Sequence, residues 1–143
     1  MRISTKGRYA LAVMLDLSIY DTGENISIKT IAKRLNLSGK YLEQVVGVLT
    51  KAGFVKSVRG SSGGYRLAKQ PKEYTVGAIL RLTEGSLAPV ACVEDGEPAS
   101  EADSGVIMTV WQELNDAINS VVDRITLEDL VGRNQMMADY YSI

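Results

Sequence analysis

Residues 27–53, SIKTIAKRLNLSGKYLEQVVGVLTKAG, constrain the fold more than any other stretch, because two amphipathic repeats of helical period are separated by only three residues. Ile28, Ile31, Ala32 and Leu35 recur at i, i+3, i+4 and i+7 behind Ser27, a residue suited to capping a helix N-terminus. After Asn36-Leu37-Ser38, with Ser38 as the next cap, Leu42, Val45, Val46 and Leu49 form a second inward stripe that Gly53 ends. At about 100° per residue the opposite face of this second helix is centred on Lys40, Gln44, Gly47 and Lys51, with Tyr41 and Glu43 at its margins. Two short helices joined by a tight turn, the second exposing hydrogen-bonding side chains, outline a helix-turn-helix whose second helix enters a DNA major groove. An ordinary helical hairpin with a solvated face has the same pattern. Glu43 speaks for base contact, since a carboxylate is repelled by phosphates but accepts a hydrogen bond from the cytosine amino group.

The flanking segments extend this outline. Upstream, residues 5–20 contain YALAVMLDLSIY, apolar nearly all round, which predicts a buried central helix. Downstream, the β-prone runs FVKSV and YRL enclose RGSSGG, which predicts a two-stranded hairpin with its tip at Gly63-Gly64. A nucleotide-binding P-loop needs a GK[ST] ending and a following helix, and neither is present. A hairpin behind a recognition helix is a wing, with small residues to approach a minor groove and Arg59 to meet its negative potential. A mobile surface hairpin explains the glycines but leaves the basic flanks Lys56 and Arg66 unexplained.

Charge divides along the chain. The formal net charge of −1 conceals a first half, residues 1–72, with 13 basic against 4 acidic residues, and a second half with 3 against 13. A basic binding module joined to an acidic remainder has this asymmetry, although two solvated surfaces of opposite sign also produce it. The 143 residues suit a single domain with at most an appendage, no apolar run is long enough for a membrane span, and no secretion signal is visible, so a cytoplasmic protein is expected. With no histidine and a single cysteine, Cys92, no disulfide can form within the chain and no catalytic constellation is apparent, so an enzyme is not expected.

In the acidic half, Ile107, Trp111, Leu114, Ile118, Val121 and Ile125 are spaced 4, 3, 4, 3 and 4, the interval of a coiled-coil seam. One long helix capped by Asp103 or Ser104 is expected, pairing with its mate or packing on its own domain. Thr126 and Asp129 then form a capping box that opens a final helix.

The stretches MRISTKGRYAL (1–11), YLEQVV (41–46), SVRGSSGGYRL (57–67), TVGAILRLTEG (75–85) and ITLEDLV (125–131) together carry a resemblance. The chain resembles the IscR, NsrR and CymR family, also called Rrf, of bacterial winged helix-turn-helix transcription regulators. It is nearest to IscR-like members, with some CymR-like features. The resemblance implies a mainly α fold with a small β-hairpin, organised as a winged helix-turn-helix DNA-binding domain (1–85), a sensor or linker segment (86–105) and a dimerisation helix with C-terminal tail (106–143). It implies a homodimer on a near-palindromic operator in double-stranded DNA, with Ser38, Tyr41, Glu43 and Gln44 at DNA-reading positions and Arg59 as the wing arginine. Lys40 joins them on helix geometry alone, and Arg2, Lys6, Arg8, Lys56 and Arg66 are the expected DNA-backbone contacts.

Family members that hold a 2Fe–2S cluster carry three cysteines between wing and dimer helix, with a fourth ligand that is often histidine. Here PVACVEDGEPASEADSGV offers Cys92 alone, and Ala99, Ser100, Ser104 and Gly105 supply no soft ligand, so no cofactor is expected on this chain as written. Cys92 reads as a small hydrophobe, a vestigial ligand or a reactive thiol, and Glu94, Asp95, Glu97 or Glu101 remain as carboxylate donors. The ending DYYSI and the segment EDGEPA (94–99) resemble the CymR branch, which acts with cysteine synthase. A tail ending in the Ile143 carboxylate either docks on such a partner or is a packed or frayed terminus. Regulated genes in iron–sulfur or cysteine metabolism are implied. A winged helix that binds protein rather than DNA is the alternative.

Overall fold

The computed structural model describes residues 2–94 and 98–142, so Asp95, Glu97 and the Ile143 carboxylate lie outside the described residues. Helix α1 (Thr5–Ile19) starts where the Ser4 hydroxyl accepts from the Gly7 N–H at 3.0 Å, and it ends at Ile19, one residue before the expected end, with Tyr20 as its C-cap. Its nearly uniform apolar surface has a structural reason: α1 packs against α2 (Ile28–Leu35), α3 (Gly39–Lys51), α4 (Val76–Glu84) and α6 (Leu127–Tyr141). Ala10, Val13, Met14 and Leu17 are accordingly buried.

Both helices of the helix-turn-helix start as their sequences dictate. Ser27 accepts from the Thr30 N–H and Ser38 from the Tyr41 N–H, each at 3.2 Å. Between them Asn36 takes the left-handed conformation (φ 54, ψ 47), which asparagine tolerates better than most residues, and so makes the turn tight. Leu42, Val45, Val46 and Leu49 of α3 all enter the main core, each contributing about 1.5–3 kcal/mol over an exposed position. A second constraint holds α2: Arg34 Nε and Nη2 donate to the buried Asp16 carboxylate at 2.9 and 2.8 Å, and the guanidinium lies 3.7 Å from the Tyr20 ring centroid. Hydrogen bonding to Asp16 raises the Arg34 pKa above its ordinary value. Arg34 is thus committed to the fold rather than to the free basic surface that its place in the basic half suggests.

Strands β1 (Val55–Val58) and β2 (Gly64–Leu67) pair antiparallel, Val55 opposite Leu67 and Val58 opposite Gly64. Gly64 therefore belongs to a strand, and the hairpin tip is residues 59–63, not Gly63-Gly64. Ile26 and Tyr65 exchange two backbone hydrogen bonds of 2.8 Å, so the α1–α2 loop is pinned to β2 by one isolated bridge beside the two-stranded sheet. Gly64 (φ 146) sits where any Cβ would strike the Ile26 carbonyl, and a Cβ at Gly63 would strike the Val58 carbonyl. The wing base is fixed by Tyr74, whose hydroxyl donates to the Phe54 carbonyl at 2.8 Å and accepts from the Lys69 N–H at 2.9 Å, its ring edge-on to Phe54.

Helix α5 (Val106–Arg124) does not use the expected caps, and its N-cap position is Gly105 at φ 65. Ser104 instead ends the short 3-10 turn Glu101–Asp103 and donates to the Glu101 carbonyl, while Asp103 within that turn accepts from Trp111 Nε1 at 3.0 Å. The expected seam also divides between two faces. Ile118 and Ile125, with Val122, pack against Val76, Leu80 and Leu87 of the chain's own second core, and Trp111 is half-buried. Ile107, Leu114 and Val121 stay exposed, as do Val110 and Ala117, so the solvent-facing stripe runs 107, 110, 114, 117, 121. A helix apolar on two adjacent faces gives its 4,3 spacing two readings, and the 107–125 seam includes residues of both. The capping box at α6 forms as expected: Thr126 N–H donates to Asp129 Oδ2 at 2.9 Å and Asp129 N–H to Thr126 Oγ1 at 3.1 Å. Those bonds hold the Asp129 carboxyl below its ordinary pKa. Leu127 and Leu130 join the main core beside α1.

Tyr74 generates a pH prediction. Burial raises its phenol pKa above the ordinary 10.0, so its contribution is complete below pH 10 and lost as pH rises through the raised folded value. Tyr74→Phe should cost about 1–2 kcal/mol at pH 7, since two backbone groups lose a partner, and should flatten the loss of stability above pH 10 in urea unfolding. Equal alkaline slopes in the two proteins would contradict this role.

Candidate nucleic-acid interface

Because Leu42, Val45, Val46 and Leu49 point inward, helical geometry turns Lys40, Glu43, Gln44, Gly47 and Lys51 outward, and all five are exposed. Ser38 is exposed at the start of the same helix. Tyr41 differs from its neighbours: it is half-buried, and its ring meets Tyr9 of α1 edge-on with centroids 5.4 Å apart. Tyr41 thereby ties the start of α3 to α1 while remaining partly accessible.

Arg59 is exposed at the wing tip beside Gly60, whose φ of 110 gives the turn. The tip is not loose. Gly63 N–H donates to the Gly60 carbonyl at 3.0 Å, and Asn25 Nδ2 reaches the Ser62 carbonyl at 3.4 Å. Lys56 and Arg66, both exposed, face each other across the strand pair. Like charges placed directly opposite destabilise a hairpin unless an anion lies between or over them. Arg2, Lys6 and Arg8 are exposed around the N-terminus of α1, where Arg8 also donates to Thr5 Oγ1 at 3.2 Å.

One feature was not read from the sequence. The N-terminal ends of α1 and α3 open onto a common cleft of about 480 Å³, lined by Thr5, Tyr9, Asn36, Leu37, Ser38 and Tyr41. Helix N-termini present unsatisfied N–H groups and positive potential, which suit a phosphate. The paired serine caps, Ser4 and Ser38, were the available signal; that the two ends are adjacent depends on tertiary packing.

Cys92 lies half-buried in a short 3-10 turn, Ala91–Val93, far in sequence from this face. Among the described residues no group of three or more His, Cys, Asp or Glu is arranged to hold a metal. The whole chain offers one thiol and no imidazole, a donor set that does not fit a thiolate-held iron–sulfur cluster. Among the described residues no helix is long and apolar enough to cross a membrane.

A family model described as Rrf2, iron-dependent transcriptional regulator, matches residues 3–133. The chain is 45% identical over 130 residues to the HTH-type transcriptional regulator CymR of Bacillus subtilis, covering 91% of this chain and 89% of that protein. It is 34% identical over 137 residues to IscR of Pectobacterium atrosepticum, covering 96% and 83%. Among solved structures it matches CymR (YrzC), the global cysteine regulator of B. subtilis, with TM-score 0.78 and 44% identity over 93% of this chain and 98% of that one. IscR of T. potens matches with TM-score 0.74 and 39% identity over 94% and 88%. The chain therefore belongs to the Rrf2 family of DNA-binding transcriptional regulators, with a winged helix-turn-helix fold.

Proposed function

We propose that this protein is a homodimeric, sequence-specific transcription regulator that reads double-stranded DNA with α3 in the major groove and the wing in the minor groove. The observation that carries this reading is the shared exposure of Lys40, Glu43, Gln44 and Arg59 on two elements whose other faces are locked into the core. Glu43 and Gln44 read base edges, with Glu43 accepting from cytosine and Gln44 able to bond adenine. Ser38 and Tyr41 set the start of the recognition helix against the duplex, and Lys40 supplies charge beside it. Arg59 occupies the minor groove, while Arg2, Lys6, Arg8, Lys56 and Arg66 neutralise phosphates and fix register. The Lys56–Arg66 repulsion is then relieved by a phosphate.

A second copy covers the exposed stripe of α5. Ile107, Val110, Leu114 and Val121 are 44–47% exposed and follow a heptad interval with Ala117, the spacing a partner helix fills. A two-fold dimer presents two recognition helices, hence a near-palindromic operator. In this assignment residues 1–85 read DNA, 86–105 form the sensor or linker, and 106–143 carry the dimer helix and tail.

Similarity to CymR, named as a cysteine regulator in its solved structure, supports target genes in cysteine metabolism, and the family description as iron-dependent supports a link to iron–sulfur metabolism. The donor set supports a cluster-free state. A protein signal is the second reading, favoured by the exposure of Met136, Met137, Tyr140 and Tyr141 near the chain end, which suits a partner such as cysteine synthase. Anaerobic treatment with iron and sulfide should leave no stable chromophore, and a tail shortened by residues 140–143 should lose any cysteine synthase captured by the full chain. Stoichiometric iron, or capture indifferent to the tail, would overturn the corresponding route.

On a duplex selected by the protein from a random pool, Arg59→Ala should weaken binding about tenfold or more, with a smaller salt slope. Glu43→Ala should instead tolerate base changes that cost the parent protein about 1–3 kcal/mol each. A uniform loss of affinity on selected and random duplexes would contradict the role given to Glu43.

A further inference from the structure

The joint between α4 and α5 is closer and more directional than apolar packing alone requires. Gly77 of α4 lies against α5, where a methyl group would meet Asp123 Oδ1, Arg81 Nη1 and, at 3.1 Å, Val122 Cγ2. Above it Arg81 Nη1 donates to Asp123 Oδ1 at 2.5 Å, while Nη2 donates to Asp123 Oδ2 at 3.2 Å and to Asn119 Oδ1 at 2.8 Å. Asn119 and Asp123 are four residues apart, so one planar guanidinium holds two successive turns of α5. Beneath it Val76 and Leu80 pack on Ile118, Val122 and Ile125. At the end of α5 the Val76 N–H donates to the Ile125 carbonyl at 2.9 Å and the Leu127 N–H to the Tyr74 carbonyl at 3.0 Å.

These contacts fix both the rotation of α5 about its axis and its slide along α4. The ion pair is half in solvent, with side chains 35% and 48% exposed, so it adds little to stability. Its geometry has another consequence. Helix α4 is held to α1 where Ser4 N–H donates to Glu84 Oε1 at 2.9 Å, and α1 buries the stripe of α3. The direction of α5 is therefore transmitted through α4 and α1 to the recognition helix.

We infer that Arg81, through Asp123 and Asn119, is a specificity-determining positioning residue: it sets the separation and phase of the two DNA half-sites that a dimer accepts. The inference rests on the α5-paired dimer proposed above. One added base pair moves a half-site by about 3.4 Å and turns it by about 35°. A joint held at three hydrogen bonds resists this change, and a joint held by apolar packing alone yields to it.

The test uses the full-length protein and duplexes carrying two inverted copies of the half-site it selects from a random pool, with spacers differing by one base pair. Wild type should prefer one spacer about tenfold over its neighbours, and Arg81→Met should bind all three within about threefold. Base preference within each half-site should be unchanged. The paired exchange of Arg81→Glu with Asp123→Arg should restore spacer preference. Asp123→Asn, similar in size, carries the comparison if Arg81→Met does not fold. An intact dimer with unaltered spacer preference in the variant overturns the inference alone, as does a parallel loss of base preference. Wild type that sediments as a monomer, free and on DNA, overturns the dimer reading and this inference with it.

Discussion

Burial of Leu42, Val45, Val46 and Leu49 against α1 is the contact on which the remaining architecture depends. It decides which face of α3 is left for solvent, and helical geometry then places Lys40, Glu43 and Gln44 outward without further instruction. Helix α1 can serve as this platform because it is apolar around most of its circumference, and α4 and α6 cover what α2 and α3 do not. The Asp16–Arg34 pair completes the platform, since its two charge-assisted hydrogen bonds hold α2 at one angle to α1. Only the Asp16 side of this pair is buried, so removing Arg34 would strand a buried carboxylate, whereas the pair itself adds little net stability.

The wing shows how backbone geometry and function share the same residues. RGSSGG reads as a loop emptied of side chains so that it can approach a groove. Part of its glycine content answers a nearer demand: Gly64 lets the α1–α2 loop pair with β2, and Gly63 lets the tip close on Val58. Only the tip, with Gly60, Ser61 and Ser62 beside Arg59, is left for a ligand. Anchoring through Ile26, Asn25 and Tyr74 makes the wing an extension of the helix-turn-helix rather than a flexible arm, so its position relative to α3 is preorganised.

Much of this was legible in the residues. The serine caps at 27 and 38, the inward stripes of α2 and α3, the hairpin and the Thr126–Asp129 box all follow from local chemistry, and local chemistry is what a sequence displays directly. Features set by tertiary contact were not legible. The 107–125 seam mixed two faces because Ile118 and Ile125 are drawn to Val76 and Leu80, partners that no spacing within α5 reveals. Asp103 bonds Trp111 instead of capping α5, and Arg34, still accessible, is engaged by Asp16. The cleft between the ends of α1 and α3 likewise exists only once the two helices are packed. For the site itself, exposure of the candidate side chains was foreseen from periodicity, whereas the half-burial of Tyr41 against Tyr9 was not.

Chemical protection of the selected duplex tests the central arrangement most directly, because guanine N7 reports the major groove and adenine N3 the minor groove. The expected result is guanine N7 protection in two half-sites related by two-fold symmetry, with adenine N3 protection beside each, the latter abolished by Arg59→Ala. Duplex binding that leaves guanine N7 fully reactive, or adenine N3 protection indifferent to Arg59, would contradict the placement of α3 and the wing.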